Sequence, residues 1–210
     1  MRRVPMSRHE DILVVPRHLL DEHQILPAKP GCVPASHALG LLIEELVAAG
    51  GQFLPRPLME VDPTYKQIIP YMVFVHDRRV YVMQRSGAAG EQRLANKYTV
   101  GIGGHVRAGD LLGSGKLVDW GTREFAEEIA YDGSFKSVQI IGLVNDDRDA
   151  VGQVHLGIVF LLAAESGDIA IRSELKSGML MGRAECLAVH DRMETWSQFV
   201  VDMLVAKDLI

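Results

Sequence analysis

The sequence predicts an α/β fold of the α+β type, with a mixed sheet sandwiched between helices. Three observations lead there. Strand-like and helix-like patterns are mixed along the 210 residues, with no internal repeat. Residues 71–76 and 80–85 flank Asp77-Arg78-Arg79, the spacing of a hairpin. Residues 154–163 form a continuous apolar run, as expected of a central strand covered on both faces. Hairpin-length links between adjacent strands disfavour a doubly wound parallel sheet.

Composition narrows the class. Hydrophobic residues make up 48% of the chain and charged residues 23%, an ordinary globular balance that argues against disorder. A formal net charge of -5 lacks the basic excess of a nucleic-acid binder. It still allows a phosphorylated small molecule, because a local cluster of Arg and Lys can dominate a site. The two cysteines, Cys32 and Cys186, form no CxxC pair, which predicts a reducing, cytoplasmic setting without a disulfide framework. The longest apolar run, 156–164, is too short to cross a bilayer, so no membrane role is expected.

In chain order, residues 11–16 read as a buried strand stopped by Pro16, and residues 17–24 as one or two helical turns. Pro27, Pro30, Gly31 and Pro34 predict a loop. Ser36 is a candidate N-cap for a helix in which Leu39, Leu42, Ile43, Leu46 and Val47 repeat at helical spacing, ended by Gly50-Gly51. Residues 1–60 are expected to form an extension that packs on a core of residues 61–210. Within that core, 71–76, 80–85, 98–102, 138–144, 154–163 and 169–171 read as strands, and 193–204 as the closing helix.

Chemistry concentrates in Gly101-Ile-Gly-Gly-His105 and Arg123-Glu-Phe-Ala-Glu-Glu128. The first reads as a strand running into a glycine-rich loop. The second reads as a helix on which Glu124, Glu127 and Glu128 converge, since residues three and four apart share a face. Converging carboxylates repel unless a cation lies between them, and a hard divalent ion meets that need. Val118, Thr122, Phe125 and Ile129 are expected to bury the helix's other side. Arg123, four before Glu127, is placed to pair with it, and Gly133 to stop the helix after Asp132. Taken alone, Arg123 to Glu128 reads more readily as a solvated helix face than as a site; the upstream glycines reverse that preference.

These residues resemble the box of the Nudix (MutT-like) hydrolases, G-x5-E-x7-R-E-U-x-E-E-x-G-U, where U is a bulky apolar residue. Gly104 opens the box and Arg123-Glu124-Phe125-Ala126-Glu127-Glu128 matches its core. Asp110 stands where the pattern has Glu, the stretch Leu111 to Thr122 is longer than the family spacing, and Ala130 replaces the box glycine. Segments 62–71, 93–105 and 193–197 also look like a bacterial branch of predicted phosphoesterases.

The resemblance implies a Nudix-like α/β/α sandwich and Mg2+ (or Mn2+) bound by Glu124, Glu127 and Glu128 with help from the Gly104 carbonyl. It also implies that Arg123 orients a glutamate, and that water attacks a phosphoanhydride of a nucleoside diphosphate-linked molecule. Asp146, Asp147 and Glu165 remain alternative general bases beside Glu124 and Glu127. Arg85, Arg93, Lys97, His105 and Arg107 are candidate substrate-binding residues, because guanidinium and ammonium groups hold phosphate. Lys66 and Gln67 line either the pocket or the surface. The alternative function is a non-catalytic Nudix-fold module that binds a phosphorylated ligand. A homodimer is compatible with the resemblance and with the added N-terminal helix.

Overall fold

The computed structural model describes residues 10–85, 96–107, 116–172 and 175–210. Their order is β1 (Asp11–Pro16), α1 (Arg17–Glu22), β2 (Gly31–Pro34), α2 (His37–Gly50), β3 (Gln52–Pro55), α3 (Arg56–Met59), β4 (Tyr65–His76) and β5 (Arg79–Arg85). There follow β6 (Tyr98–Thr99), β7 (Gly101–Gly103), α4 (Leu117–Glu128), β8 (Ile129–Ala130), β9 (Phe135–Asn145), α5 (Ala150–Val154) and β10 (His155–Ala164). The chain closes with β11 (Ala170–Ile171), β12 (Leu175–Met181), α6 (Arg183–Val189) and α7 (Thr195–Ala206).

The mixed sheet runs β12-β5-β4-β10-β9-β2 among the described residues. At its centre β10 pairs parallel with β4 and antiparallel with β9. Alternation then sorts the side chains. Ile68, Met72 and Phe74 of β4 face one core with α2 and α4, while Tyr71, Val73 and Val75 face the other with α6 and α7. Both central strands are therefore buried on both faces, and the expected helix-sheet-helix sandwich is the observed fold.

The other side of β4 is shared by three strands. Antiparallel β1 pairs with residues 65–67, β7 with 71–73, and β5 with 75–76. The hairpin turn consists of Asp77 and Arg78, both at positive φ, as a two-residue hairpin with strand twist requires. Pro70 stands inside β4 where that side changes neighbour from β7 to β1, a break where a missing N–H is tolerated. The segment after Gly103 leaves the sheet at this break.

Several local expectations are corrected. The proline-rich stretch is not all loop: Gly31–Pro34 is an edge strand on β9, because its extended backbone needs no regular side-chain pattern there. The carboxylate helix ends at Glu128, not Asp132, since Ile129 and Ala130 pair with β11. It also starts at Leu117, so the latter half of the long box spacing is helix, and its first turns add Trp120 to the core. Of the expected stripe, Phe125 and Ile129 are buried, while Val118 and Thr122 are only half-buried; Leu117, Trp120 and Gly121 take the core-facing positions in the first turns. Lys66 is fully buried, as is Gln67, so neither is a surface residue. Ser36 caps α2 as expected, accepting from the Leu39 amide at 3.2 Å, and both cysteines are free.

Candidate active site

Gly121 brings the carboxylate helix to the sheet. A side chain there would meet Met72 Sδ at 2.4 Å, so only glycine lets α4 lie this close on β4. Trp120 and Phe125 then fill the space on either side, both nearly inaccessible. This seating turns Glu124 toward the strand end: its Oε2 is 3.3 Å from where a Cβ on Gly104 would stand, and Trp120 Cη2 is 3.7 Å from it. The glycine and the glutamate, 20 positions apart in the chain, thus form one site.

Arg123 lies across the carboxylates. It donates to Glu124 at 2.9 Å and to Glu127 at 2.5 Å. Burial raises the Glu124 pKa; Arg123 opposes the shift and the Glu127 charge adds to it. Glu128 follows on the same helix, half-buried. Among the described residues no three His, Cys, Asp or Glu side chains are gathered around one point. The donors nevertheless suit a hard cation in kind: the Glu124 carboxylate faces the bare backbone of Gly104, and the cation now shared by Glu124 and Glu127 is the Arg123 guanidinium.

The segment after Gly104 is pinned from two directions. Val106 accepts a backbone bond from Leu13 at 2.8 Å, and Arg107 bridges to Ile12, so β1 holds this stretch. His105 points into a polar chain. Its Nε2 lies 2.7 Å from Gln67 Oε1 and 3.2 Å from His155 Nε2, while Gln67 donates to the Met59 carbonyl at 3.0 Å. His155 Nδ1 lies 2.7 Å from the Val151 carbonyl. That bond makes Nδ1 the donor on His155, so its Nε2 accepts, and the shared proton belongs to His105 Nε2. Burial, reinforced by Arg56, lowers the His105 pKa to about 4; burial also lowers that of His155.

Beneath this chain lies Lys66. Its ammonium donates to Asp147 Oδ1 at 2.6 Å, Asn145 Oδ1 at 2.7 Å and the Gly152 carbonyl at 2.9 Å, with the His155 carbonyl at 3.2 Å. Burial lowers the Lys66 pKa against the pull of Asp147. Asp147 also accepts from Arg17 at 2.5 Å, and Asp146 is clasped by Arg148 at 2.7 and 2.8 Å. Glu165 is exposed at the start of the turn after β10.

The remaining sequence-predicted residues separate. Arg107 stands near the site and its charge acts on Glu124. Lys97 is half-buried before β6, at the end of β5 that carries Arg85. Up to about 23 Å of extended chain divides it from Gly104. Arg93 and Asp110 lie outside the described residues, as does the side chain of Arg85. A cavity of about 540 Å³ opens between α2, β9 and the start of α4, bordered by Lys116 and Val118. It contains none of the predicted site residues. Sequence reasoning missed Glu10, Arg56 and His155, whose surroundings carry no motif.

The fold is an α/β/α sandwich that seats a carboxylate-bearing helix against a glycine-rich strand end. No protein-family model matches the chain. It is 34% identical over 202 residues to Protein YmaB of Bacillus subtilis (strain 168), covering 93% of this chain and 97% of the relative. Among solved structures, Tm1382, described as a Nudix hydrolase, is 28% identical with a TM-score of 0.75, covering 96% of this chain and 100% of its own. A bifunctional NMN adenylyltransferase/ADP ribose pyrophosphatase from Francisella tularensis, complexed with AMP and a Mn ion, superposes with a TM-score of 0.51 at 13% identity. It covers 68% of this chain and 42% of its own. The chain belongs to the Nudix hydrolase family, whose members act on diphosphate bonds.

Proposed function

We propose that the protein is a divalent-metal-dependent hydrolase, using Mg2+ or Mn2+, that cleaves a phosphoanhydride in a nucleoside diphosphate-linked small molecule. The observation that carries this reading is the meeting of Glu124 with Gly104 across α4 and β7. Glu124, Glu127 and Glu128 would hold the metal, with the Gly104 carbonyl. A bound divalent ion supplies charge neutralisation for the diphosphate and lowers the pKa of a bound water. Arg123 orients Glu124 and Glu127, and Arg107 holds an anionic group of the substrate. The Francisella protein's AMP and Mn ion support a nucleotide-like ligand and a metal of this kind.

The test is a substrate panel. Nucleotides, dinucleotides, nucleotide sugars and isoprenoid diphosphates are incubated with the purified protein and Mg2+ or Mn2+, and products are resolved by chromatography. Metal-dependent cleavage at a diphosphate is the expected result. Binding in a thermal-shift assay with no product from any substrate would instead support a ligand-binding module and overturn the enzyme reading.

A further inference from the structure

Arg56 and Arg107 lie on either side of one carboxylate. Glu10 Oε2 accepts from Arg56 Nη1 at 3.2 Å, and Glu10 Oε1 pairs with Arg107 Nε. The backbone places them there: β1 pairs with β3, the Arg56 amide bonds the Glu10 carbonyl at 2.9 Å, and Arg107 bridges to Ile12. Glu60 fixes the other edge of Arg56, accepting from its Nε at 2.9 Å. All three side chains of the clasp are partly exposed: 31% for Glu10, 42% for Arg56 and 55% for Arg107. A ligand therefore reaches them without opening the core.

A carboxylate between two guanidiniums has the geometry in which arginines also hold phosphate. We propose that Arg56 and Arg107 form an anion subsite of the active centre, occupied in the resting protein by Glu10. A phosphate or carboxylate group of the substrate, away from the bond that is cleaved, exchanges with it. Arg107 is three residues from Gly104, at most about 10 Å along the chain, so one small molecule spans both. The subsite joins Glu10 and Arg56, from the N-terminal residues that precede β4, to Arg107, which follows β7. It therefore selects for a second anionic group beyond the diphosphate. The substrate's chemistry rests on the hydrolase reading; the subsite itself does not.

Charge balance gives the test its sign. Glu10 and Glu60 offset the two arginines, so removing the Glu10 charge leaves a net positive clasp. Calorimetric titration of inorganic phosphate and diphosphate is run without metal, in EDTA, on the wild type, Glu10→Gln and Arg56→Gln. Glu10→Gln is expected to bind about fivefold more tightly than wild type and Arg56→Gln about fivefold more weakly, the scale of an exposed ion pair. Melting curves check that each variant is folded, and Arg56→Lys replaces Arg56→Gln if that variant is not. Affinity in Glu10→Gln equal to or below wild type overturns the proposal. If that affinity order holds while no variant hydrolyses any diphosphate, the subsite stands and the hydrolase reading falls.

Discussion

The Glu124 carboxylate sits 3.3 Å from the point where a side chain on Gly104 would begin. A methyl group there would force the carboxylate back by a few tenths of an ångström. Gly104→Ala is expected to lower kcat by about 10-fold, since small displacements of reacting groups are costly. The melting temperature should change little, because the contact is at the site's edge. Steady-state kinetics with a melting curve separates the two effects; unchanged kcat would mean that the approach is incidental.

Gly121 tests the seating of the whole helix. Any side chain there meets the thioether of Met72, which is itself buried in the core and must repack to make way. Gly121→Val should cost on the order of 3 kcal/mol through overpacking and a poorer helix former. Urea denaturation reads the loss directly. A stability within about 0.5 kcal/mol of wild type would show that α4 is free to shift.

Lys66 predicts a larger effect than a surface lysine would. Lys66→Met removes the ammonium that donates to Asn145, Asp147 and the Gly152 carbonyl. Stability should fall by about 3 kcal/mol, because buried acceptors lose their donor. Arg17 still pairs with Asp147 and keeps that carboxylate from being stranded. A near-neutral variant would indicate that water replaces the ammonium.

Acid sensitivity follows from the two histidines. Both have folded pKa values below that of the unfolded chain, to about 4 for His105. Below pH 6.5 the unfolded chain takes up protons that the folded state refuses. Stability from these rings is therefore complete above pH 6.5 and declines as pH falls toward 4. The slope is at most roughly 1.4 kcal/mol per pH unit from each ring. Melting temperatures between pH 7.5 and 5 should decline, and His105→Gln, which keeps a donor but cannot titrate, should flatten the decline. An equally steep slope in that variant would place the acid sensitivity elsewhere.

How much of this is legible in sequence depends on the range of the physics involved. The central strand β10 shows as an apolar run because both its faces are covered. The Ser36 cap and the 77–78 turn show because they are local. The α4 boundaries do not, since Ile129 and Ala130 are drawn into pairing with β11, some 40 residues on. Trp120 hides inside a stretch longer than the family spacing, and only the core reveals it as helix. At the site, Gly104, Arg123 and the three glutamates carry a pattern. Glu10 and Arg56 carry none, because they reach the site through the pairing of β1 with distant segments, and neither does His155, which β10 brings beside Gln67 by pairing with β4. The burial of Lys66 is equally a product of topology.

The most direct measurement is turnover by Glu124→Gln beside wild type, on the best substrate of the panel, with metal at saturation and folding checked by melting. The wild type should release product and the variant should lose about 100-fold or more in kcat/KM with an unchanged fold. A folded Glu124→Gln protein that turns over at the wild-type rate would contradict the assignment of the reaction to the carboxylates of α4.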